Sequence, residues 1–406
     1  MDFSIQILVA SFALLITLNV PVAYSMGIAA MLGILAMGDL PAFVAVAHKM
    51  ATGIDKFSLL AIPFFILSGQ LMGHGGIARR LIDFANVRVG RFRGGLALVN
   101  ILTCMFFGAI SGSATAAVSS VGGFMIPLMN KRGYDRDFSA SVTVTAATTG
   151  LLIPPSNVMI VYSLATGGAV SIAAIFIAGV IPGILVGLGL MLASGAVSWK
   201  RNYGGDEVIP WAKSIQRFFQ AIPSLLLIVI VIGGILGGIF TATEASAVAV
   251  LYSFILAVIC YKEVKWKQIP SILLQTGMMT SVVFLLIATS MAMSWVLAAE
   301  RVPQDISAFL LGLTANEIMV LLMINLILLV VGCFMDMTPA VLIFTPIFLP
   351  VVEALGIHPI HFGIIMIMNL CIGLCTPPVG TCLFLGCGIA QTTVSRVVKE
   401  ILIFYI

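Results

Sequence analysis

Phe138–Trp199 is a run of 62 residues without an Asp, Glu, Lys or Arg. Such a run cannot supply the surface of a water-soluble fold. At about 20 apolar residues per bilayer crossing, it holds more than one transmembrane helix. The rest of the 406-residue chain is similar: 61% of residues are hydrophobic, 9% are charged and the mean hydropathy is +1.17. Soluble domains carry about 25% charged residues. Composition therefore excludes a soluble enzyme, a nucleic-acid binder and a disordered chain, and predicts an all-α polytopic membrane protein. The seven cysteines, all in apolar surroundings, read as small buried hydrophobes. Cys371 and Cys375 lie one helical turn apart, but no nearby His or Asp completes a thiolate metal site. The segment Met1–Lys49 lacks a basic leader and reads as about two short spans, not a cleavable signal peptide.

The charges that remain are placed with a bias. Five stretches hold 17 of the 20 Lys and Arg residues. The first, Gly75–Arg93, carries Arg79, Arg80, Arg88, Arg91 and Arg93. The others carry Lys131, Arg132 and Arg136; Lys200, Arg201, Lys213 and Arg217; Lys262, Lys265 and Lys267; and Arg396 with Lys399. Excess Lys and Arg marks cytoplasmic loops. One topology places all five inside. The N-terminus is outside, and Ile5–Met37 makes two short crossings around Pro21. Ser58–Met72 crosses inward, and Gly94–Asn130 enters and returns. Phe138–Ala165 crosses outward, Ile172–Trp199 inward, and Gln220–Ile239 with Ala245–Cys260 goes out and back. Ile272–Ala299 crosses outward, Ile318–Val352 enters from outside and returns, and Phe362–Ala390 crosses inward.

A spaced pattern recurs within this topology. Thr115, Pro127, Gly133, Pro154 and Pro155 reappear as Thr338, Pro350, Gly356, Pro377 and Pro378, each displaced by 223 residues. The first set belongs to a unit facing the cytoplasm and the second to a unit facing outside. The pattern predicts an inverted-topology repeat, as in many secondary transporters; two independent bundles with coincidental prolines are the alternative. The first unit spans 1–197, with a hairpin over about 95–130 and a broken helix over about 138–165. A cytoplasmic linker covers 198–219. The second unit spans 220–406, with a hairpin over about 318–352 and a broken helix over about 362–390. The counterpart of Ile172–Trp199 would begin near Val397, so the repeat predicts that a closing span is missing from this sequence.

Each unit carries residues suited to chemistry at membrane depth. The first hairpin has Gly108, Ser111, Gly112, Ser113 and Thr115 at its middle. Small hydroxyl residues there pack helices closely. A glycine between two serines also suits a turn, and a re-entrant tip would open backbone and hydroxyl groups to a cavity. Two full crossings joined by a tight turn remain the other reading. The second hairpin has Gly332, Asp336 and Thr338-Pro339 at its tip, with Asp336 between the uncharged stretches Ile318–Met335 and Met337–Val352. An acid at such depth costs at least about 2.5 kcal/mol and is a functional candidate. Capping a helix that starts at Thr338-Pro339 is the structural alternative.

The broken helices are Gly150-Leu-Leu-Ile-Pro154-Pro155-Ser156-Asn157 and Gly373-Leu-Cys-Thr376-Pro377-Pro378-Val379-Gly380-Thr381. Proline has no N–H, so Pro154 frees the carbonyl of Gly150 and Pro377 that of Gly373; the second proline of each pair frees the next carbonyl. Free backbone at membrane depth survives where it lines a cavity. Carbonyl and hydroxyl oxygens suit a small hard cation, and the helix N-terminus that follows suits an anion. Prolines used only for packing are the alternative. Glu244 reads as a first-turn acid behind Thr243 as N-cap. His48, His74, His358 and His361 fall in predicted loops without chemistry. A GxxxxGK[ST] phosphate loop is absent, which points to an ion gradient as the energy source.

Taken together, Ser58-Leu-Leu-Ala-Ile-Pro63-Phe-Phe-Ile-Leu-Ser68-Gly69, the Ser111-Gly-Ser113-Ala tip, Ile153-Pro154-Pro155-Ser156, Gly238-Ile-Phe-Thr-Ala-Thr-Glu244-Ala and Thr376-Pro377-Pro378-Val379-Gly380 cover the chain nearly end to end. In this order they resemble the large membrane subunit of tripartite ATP-independent periplasmic (TRAP) transporters. The resemblance implies a Na⁺-coupled elevator importer of organic acids, not an enzyme, in the bacterial inner membrane. It implies three partners besides lipid: a small four-helix membrane subunit, a periplasmic substrate-binding protein and a carboxylate substrate. The hairpins and broken helices would form the mobile domain and the other helices the scaffold. With the residue reading, it implies two sodium sites: Gly108, Ser111, Gly150 and Ser156; and Gly332, Gly373, Thr376 and Val379, mostly through carbonyls. Ser111, Ser156 and Asp336 would face the substrate. A stand-alone anion symporter of the same fold is the runner-up, and a membrane scaffold or channel-like protein is a different class.

Overall fold

The computed structural model describes residues 3–38, 41–90, 92–204, 211–314 and 316–405, and all regular structure among them is helical. The chain opens with α1 (Phe3–Thr17), α2 (Val22–Met37), α3 (Ala42–Ile54) and α4 (Ala61–His74), followed by α5 (Ile77–Val89). The first hairpin is α6 (Gly95–Ser111), the single turn α7 (Ala114–Ala117), a π-helical segment and α8 (Gly123–Lys131). The first broken helix is α9 (Arg136–Thr149) and α10 (Asn157–Ala165), followed by α11 (Ile172–Lys200). Then come α12 (Trp211–Leu236), α13 (Ala242–Phe254), α14 (Ile269–Ala299) and α15 (Val302–Leu313). The second hairpin is α16 (Glu317–Phe334) and α17 (Met337–Ala354); the second broken helix is α18 (Pro359–Gly373) and α19 (Thr381–Ala390), followed by α20 (Val394–Ile401). Among the described residues, seven helical segments are long and apolar enough to cross a membrane, including both legs of the second hairpin.

Side-chain caps set several helix starts. Asn316 accepts from the N–H groups of Ile318 and Met319 to begin α16. Thr241 and Glu244 form a reciprocal capping box at α13. This corrects the expected N-cap: Thr243 already lies in the first turn, and only a residue three positions before Glu244 can exchange both bonds with it. The histidines also depart from the expectation of loops. His48 and His361 lie inside α3 and α18, His74 is the last residue of α4, and His358 caps α18 by accepting from Ile360 N–H.

The basic stretch Gly75–Arg93, expected as a loop, is mostly α5. Ile77, Leu81, Phe84 and Ala85 recur at helical spacing and are all buried, so the stretch is an amphipathic helix with a basic outer face. Arg80 leaves that face to pair with Glu263 at 3.0 Å and to lie 3.6 Å above the Tyr261 ring. Arg91 and residues 205–210 of the expected linker lie outside the described residues.

Two groups of helices share the core. In one, α2, α3 and α4 pack on α14, and α4 packs on α13. In the other, α6 and α11 pack on α9, α16 packs on α18, and α10 packs on α17. Helix α11 shows how the second group closes without a polar face. Gly179, Gly183 and Gly187 form a stripe at four-residue spacing, against Leu152, Ile153 and Met105 respectively. The absence of side chains lets the helices approach closely, as small-residue stripes do in membranes. The opposite face exposes Ile177, Ile181, Leu185, Leu188 and Leu192 and suits lipid. At the end of α11, Arg201 donates both bonds from Nη2 to the Glu400 carboxylate at 2.8 Å and one from Nη1 to Asp135 at 3.1 Å, tying α20 to the start of α9.

A Cβ at Gly179 would overlap the Leu152 carbonyl, whereas one at Gly189 or Gly195 meets nothing within 4 Å. Overpacking costs about 1–3 kcal/mol, and exposed Gly-to-Ala changes in helices gain about 1 kcal/mol. Gly179→Ala should therefore lower the Tm of the detergent-purified protein by several degrees, while Gly195→Ala should leave it equal or higher.

Candidate functional site

The site is built from α9 outward. Its Ser139, Ser141, Thr143, Thr145, Thr148 and Thr149 are buried, and each hydroxyl donates to a carbonyl three or four residues back. Those hydroxyls are satisfied locally, which lets a helix of low hydropathy run through the core. At the end of α9 the ladder tightens: Leu151 and Leu152 donate to Thr148 and Thr149 at 3.1 Å. Then Pro154 and Pro155 interrupt it. Among the described residues no backbone N–H reaches the carbonyl of Gly150, as its missing donor requires.

The hairpin tip meets this break. A Cβ on Gly108 would lie 2.6 Å from Gly150 Cα, so α6 and α9 cross backbone on backbone. Helix α6 ends at Ser111, Gly112 takes a left-handed φ of 60°, and Ser113 caps α7 by accepting from Ala116 N–H. A Cβ on Gly112 would lie 3.1 Å from Asn157 Nδ2. The crossing thus sets Gly108 against Gly150 and Gly112 against Asn157. Ser111 is buried and donates only a long 3.4 Å bond to Ser113 O. Ser156 is fully buried, and neither its Oγ nor Asn157 Oδ1 has a hydrogen-bond partner.

The second break follows the same plan with different bonding. A Cβ on Gly373 would lie 2.7 Å from Gly332 Cα, so α16 crosses α18 as α6 crosses α9. Val379 N–H donates to Cys333 O at 3.1 Å and ties the break to the hairpin. Gly373 O is not free, contrary to expectation: Thr376 N–H closes a tight turn on it at 3.0 Å. Pro377 cannot donate, but the residue before it can. Thr376 donates its hydroxyl hydrogen to Ile372 O at 2.7 Å. Val379 is 44% exposed. Asp336 occupies the N-cap position of α17, which starts at Met337 rather than Thr338; its side chain makes no capping bond and is exposed. Among the described residues no hydrogen bond joins Asp336 to Ser111 or Ser156.

The two broken helices run against each other. Cys371 Sγ donates to Thr148 O at 3.5 Å and Cys375 Sγ to Val144 O at 3.6 Å, so α18 and α9 are antiparallel. Cys371 and Thr148 are 223 residues apart, the displacement that relates the proline pairs. These thiols sit in the core, but not all seven cysteines do: Cys260 is exposed and Cys333 half-buried. Among the described residues no group of three His, Cys, Asp or Glu could hold a metal.

The arrangement does suit a hard cation. At each crossing two helix C-termini converge, α6 with α9 and α16 with α18, and helix C-termini are partially negative. The helices that restart after the hairpin turns and the breaks, α10, α17 and α19, begin with partially positive N-termini. In the first break, Ser156 Oγ, Asn157 Oδ1 and Gly150 O are polar atoms without a protein donor, and buried polar atoms are rarely left so. All are hard oxygens. Asn157 and Thr381 were not singled out from sequence; both are buried at an oxygen that has no partner, and each opens the helix after its proline pair. A polar residue at the first helical position, two or three residues past Pro-Pro, was the signal.

Comparison with known proteins bears on this geometry. The family model described as "Tripartite ATP-independent periplasmic transporter, DctM component" matches residues 9–406. YgiK of Salmonella typhimurium is 50% identical over 99% of this chain and 93% of its own. The C4-dicarboxylate TRAP transporter large permease protein DctM of Pseudomonas aeruginosa is 42% identical over 88% of this chain and 83% of its own. Among solved structures, the YdaH transporter of Alcanivorax borkumensis superposes with a TM-score of 0.67, covering 89% of this chain and 84% of that one at 13% identity. That likeness concerns the fold alone.

A buried hydroxyl with no partner costs stability unless something binds it. Ser156→Ala is expected to keep or raise the Tm in sodium-free choline chloride. NaCl should raise the wild-type Tm over choline chloride at equal ionic strength, and the variant should lose most of that rise. An unchanged sodium response would count against a ligand role for Ser156.

Proposed function

The chain belongs to the DctM component family of tripartite ATP-independent periplasmic transporters, and from that premise we propose that it carries an organic acid across the membrane by sodium coupling. It is a large permease subunit, a multi-pass protein of the bacterial inner membrane, and not an enzyme. The finer reading names two sodium sites, a shared carboxylate pocket and two partners: a small four-helix membrane subunit and a periplasmic binding protein that delivers the substrate.

The observation that carries the sodium reading is the first break, where buried Ser156 Oγ and Asn157 Oδ1 lack partners beside the unbonded Gly150 carbonyl. Gly108, Ser111, Gly150 and Ser156 would hold one ion. Gly332, Gly373, Thr376 and Val379 would hold the other, with Gly373 O also receiving Thr376 N–H. Bound sodium would supply positive charge beside the substrate carboxylate. The N-termini of α10, α17 and α19 would then face the substrate carboxylate, with Ser111 and Ser156 donating to it. Asp336, exposed and not engaged in capping, would accept from hydroxyl or ammonium groups of the substrate. This keeps its charge away from the carboxylate.

An elevator mechanism is the motion we assign to this frame. The group containing the hairpins and broken helices would slide on the group around α14. Support comes from the character of the surface between them. Phe65, Ser68, Leu227, Ile228, Val231 and Ala249 line a small cavity against Pro155. The one hydroxyl there is engaged within its own group, with Ser253 Oγ at 2.8 Å and Ala249 O at 3.3 Å. An apolar contact without directional bonds lets one group move past the other without breaking bonds.

Two measurements test the reading. A thermal-shift screen of the partner binding protein against organic acids identifies the substrate, which is then followed into proteoliposomes holding both membrane subunits. Replacing external Na⁺ by K⁺ should stop uptake; unchanged rates would refute coupling. Asp336→Ala should abolish uptake, at least about 100-fold down, while the subunits still co-purify, because removing an interaction with bound substrate costs several kcal/mol when its partner is left buried.

A further inference from the structure

The second break carries a hydroxyl group that the transport reading leaves without a role. Tyr405 follows the 3₁₀ turn Leu402–Phe404 and is half-buried. Its Oη lies 2.9 Å from Thr376 Oγ1 and 3.0 Å from the carbonyl oxygen of Cys375. Thr376 has one hydroxyl hydrogen and gives it to Ile372 O at 2.7 Å. The contact between the two hydroxyls therefore needs the hydrogen of Tyr405, and so does the contact with Cys375. One hydrogen faces two acceptors.

We infer that Tyr405 is a positioning residue for the second cation site, acting through Thr376. Its hydrogen sits on Thr376 Oγ1 when the site is empty and turns to Cys375 O when a cation takes that oxygen. The inference rests on the sodium reading given above. A cation on Thr376 Oγ1 repels the positive end of the Tyr405 O–H dipole. Rotation toward Cys375 removes that repulsion and turns the lone pairs of Oη toward the charge. In neither state does Tyr405, a polar group in a half-buried place, lose its partner.

The sign of the effect follows from charge. In the filled state the hydroxyl group acts on an ion; in the empty state it bonds only neutral groups. Interactions with charged groups are stronger than neutral hydrogen bonds, so deleting the hydroxyl weakens the filled state more. The first break has no equivalent: Ser156 Oγ there has no hydroxyl neighbour within bonding distance. The effect should therefore fall on one of two sites.

Equilibrium binding of radioactive sodium to the purified complex of both membrane subunits tests this without an organic substrate. Tyr405→Phe should raise the sodium Kd of one site about fivefold and leave the other within twofold. Thr376→Ala should raise the same Kd at least as much, and adding Tyr405→Phe to it should change nothing further. Tyr405→Trp, which refills the space without a hydroxyl in that place, carries the same expectation. An unchanged Kd in Tyr405→Phe, or losses that multiply in the double variant, overturns the inference. So does loss of monodisperse elution in both Tyr405 variants, which would make the residue structural. Absence of saturable sodium binding in the wild type overturns the sodium reading itself, a different outcome.

Discussion

Two backbones touch where a helix has lost its hydrogen bonds, and the rest of the molecule is arranged around that contact. A Cβ on Gly108, Gly150 or Gly373 would overlap the facing glycine, and one on Gly332 would press on Gly373 Cα at 3.2 Å. Each pair sits beside a proline pair that interrupts the ladder of a buried helix. Without the glycines, the hairpin would be held away from the break by a side chain. Without Pro154, the backbone touched at the first break would offer no free oxygen at Gly150. Together they set polar backbone in the core of a membrane protein, a position tolerable only when the polar groups line a site or find partners.

This dependence explains why so much of the molecule is otherwise self-contained. The hydroxyls of α9 bond back to their own helix, and the thiols of Cys371 and Cys375 point at carbonyls of α9. Helix α11 closes on the break with a glycine stripe. Other buried oxygens, Thr103 and Ser194 among them, also lack a partner, but those of Ser156 and Asn157 are adjacent in the chain and follow directly on a helix break.

Much of this was legible in sequence because the strongest signals are local. A charge-free run, two Pro-Pro pairs at one displacement, and a glycine between two serines each act within a few residues, and each appears where it was read. What escaped depended on tertiary partners. The first basic stretch read as a loop because its arginines dominate its composition, while the helical spacing of Ile77, Leu81, Phe84 and Ala85 was the weaker signal. Thr243 looked like the cap of Glu244 by adjacency, but reciprocal capping needs partners three positions apart, which selects Thr241. Gly373 was expected to mirror Gly150. It does not, because Thr376 N–H turns back onto it.

That last difference bears on how two related sites can differ in use. The first break is enclosed: Leu152 and Pro155 are buried, and Phe65, Leu227 and Val231 cover the proline from the neighbouring group of helices. The second break is open at Pro377, Pro378 and Val379, and although the Thr381 hydroxyl lacks a partner, Gly373 O, Cys375 O and the Thr376 hydroxyl already hold internal bonds. An enclosed set of unpaired oxygens gains more from a cation than an open set whose oxygens are partly satisfied. Under the proposed reading, the first site would bind tightly and order the hairpin tip. The second would exchange its ion more readily, because its own hydroxyls can stand in for it. A sequence repeat can specify equal backbones, but unequal burial then makes the two copies unequal in affinity.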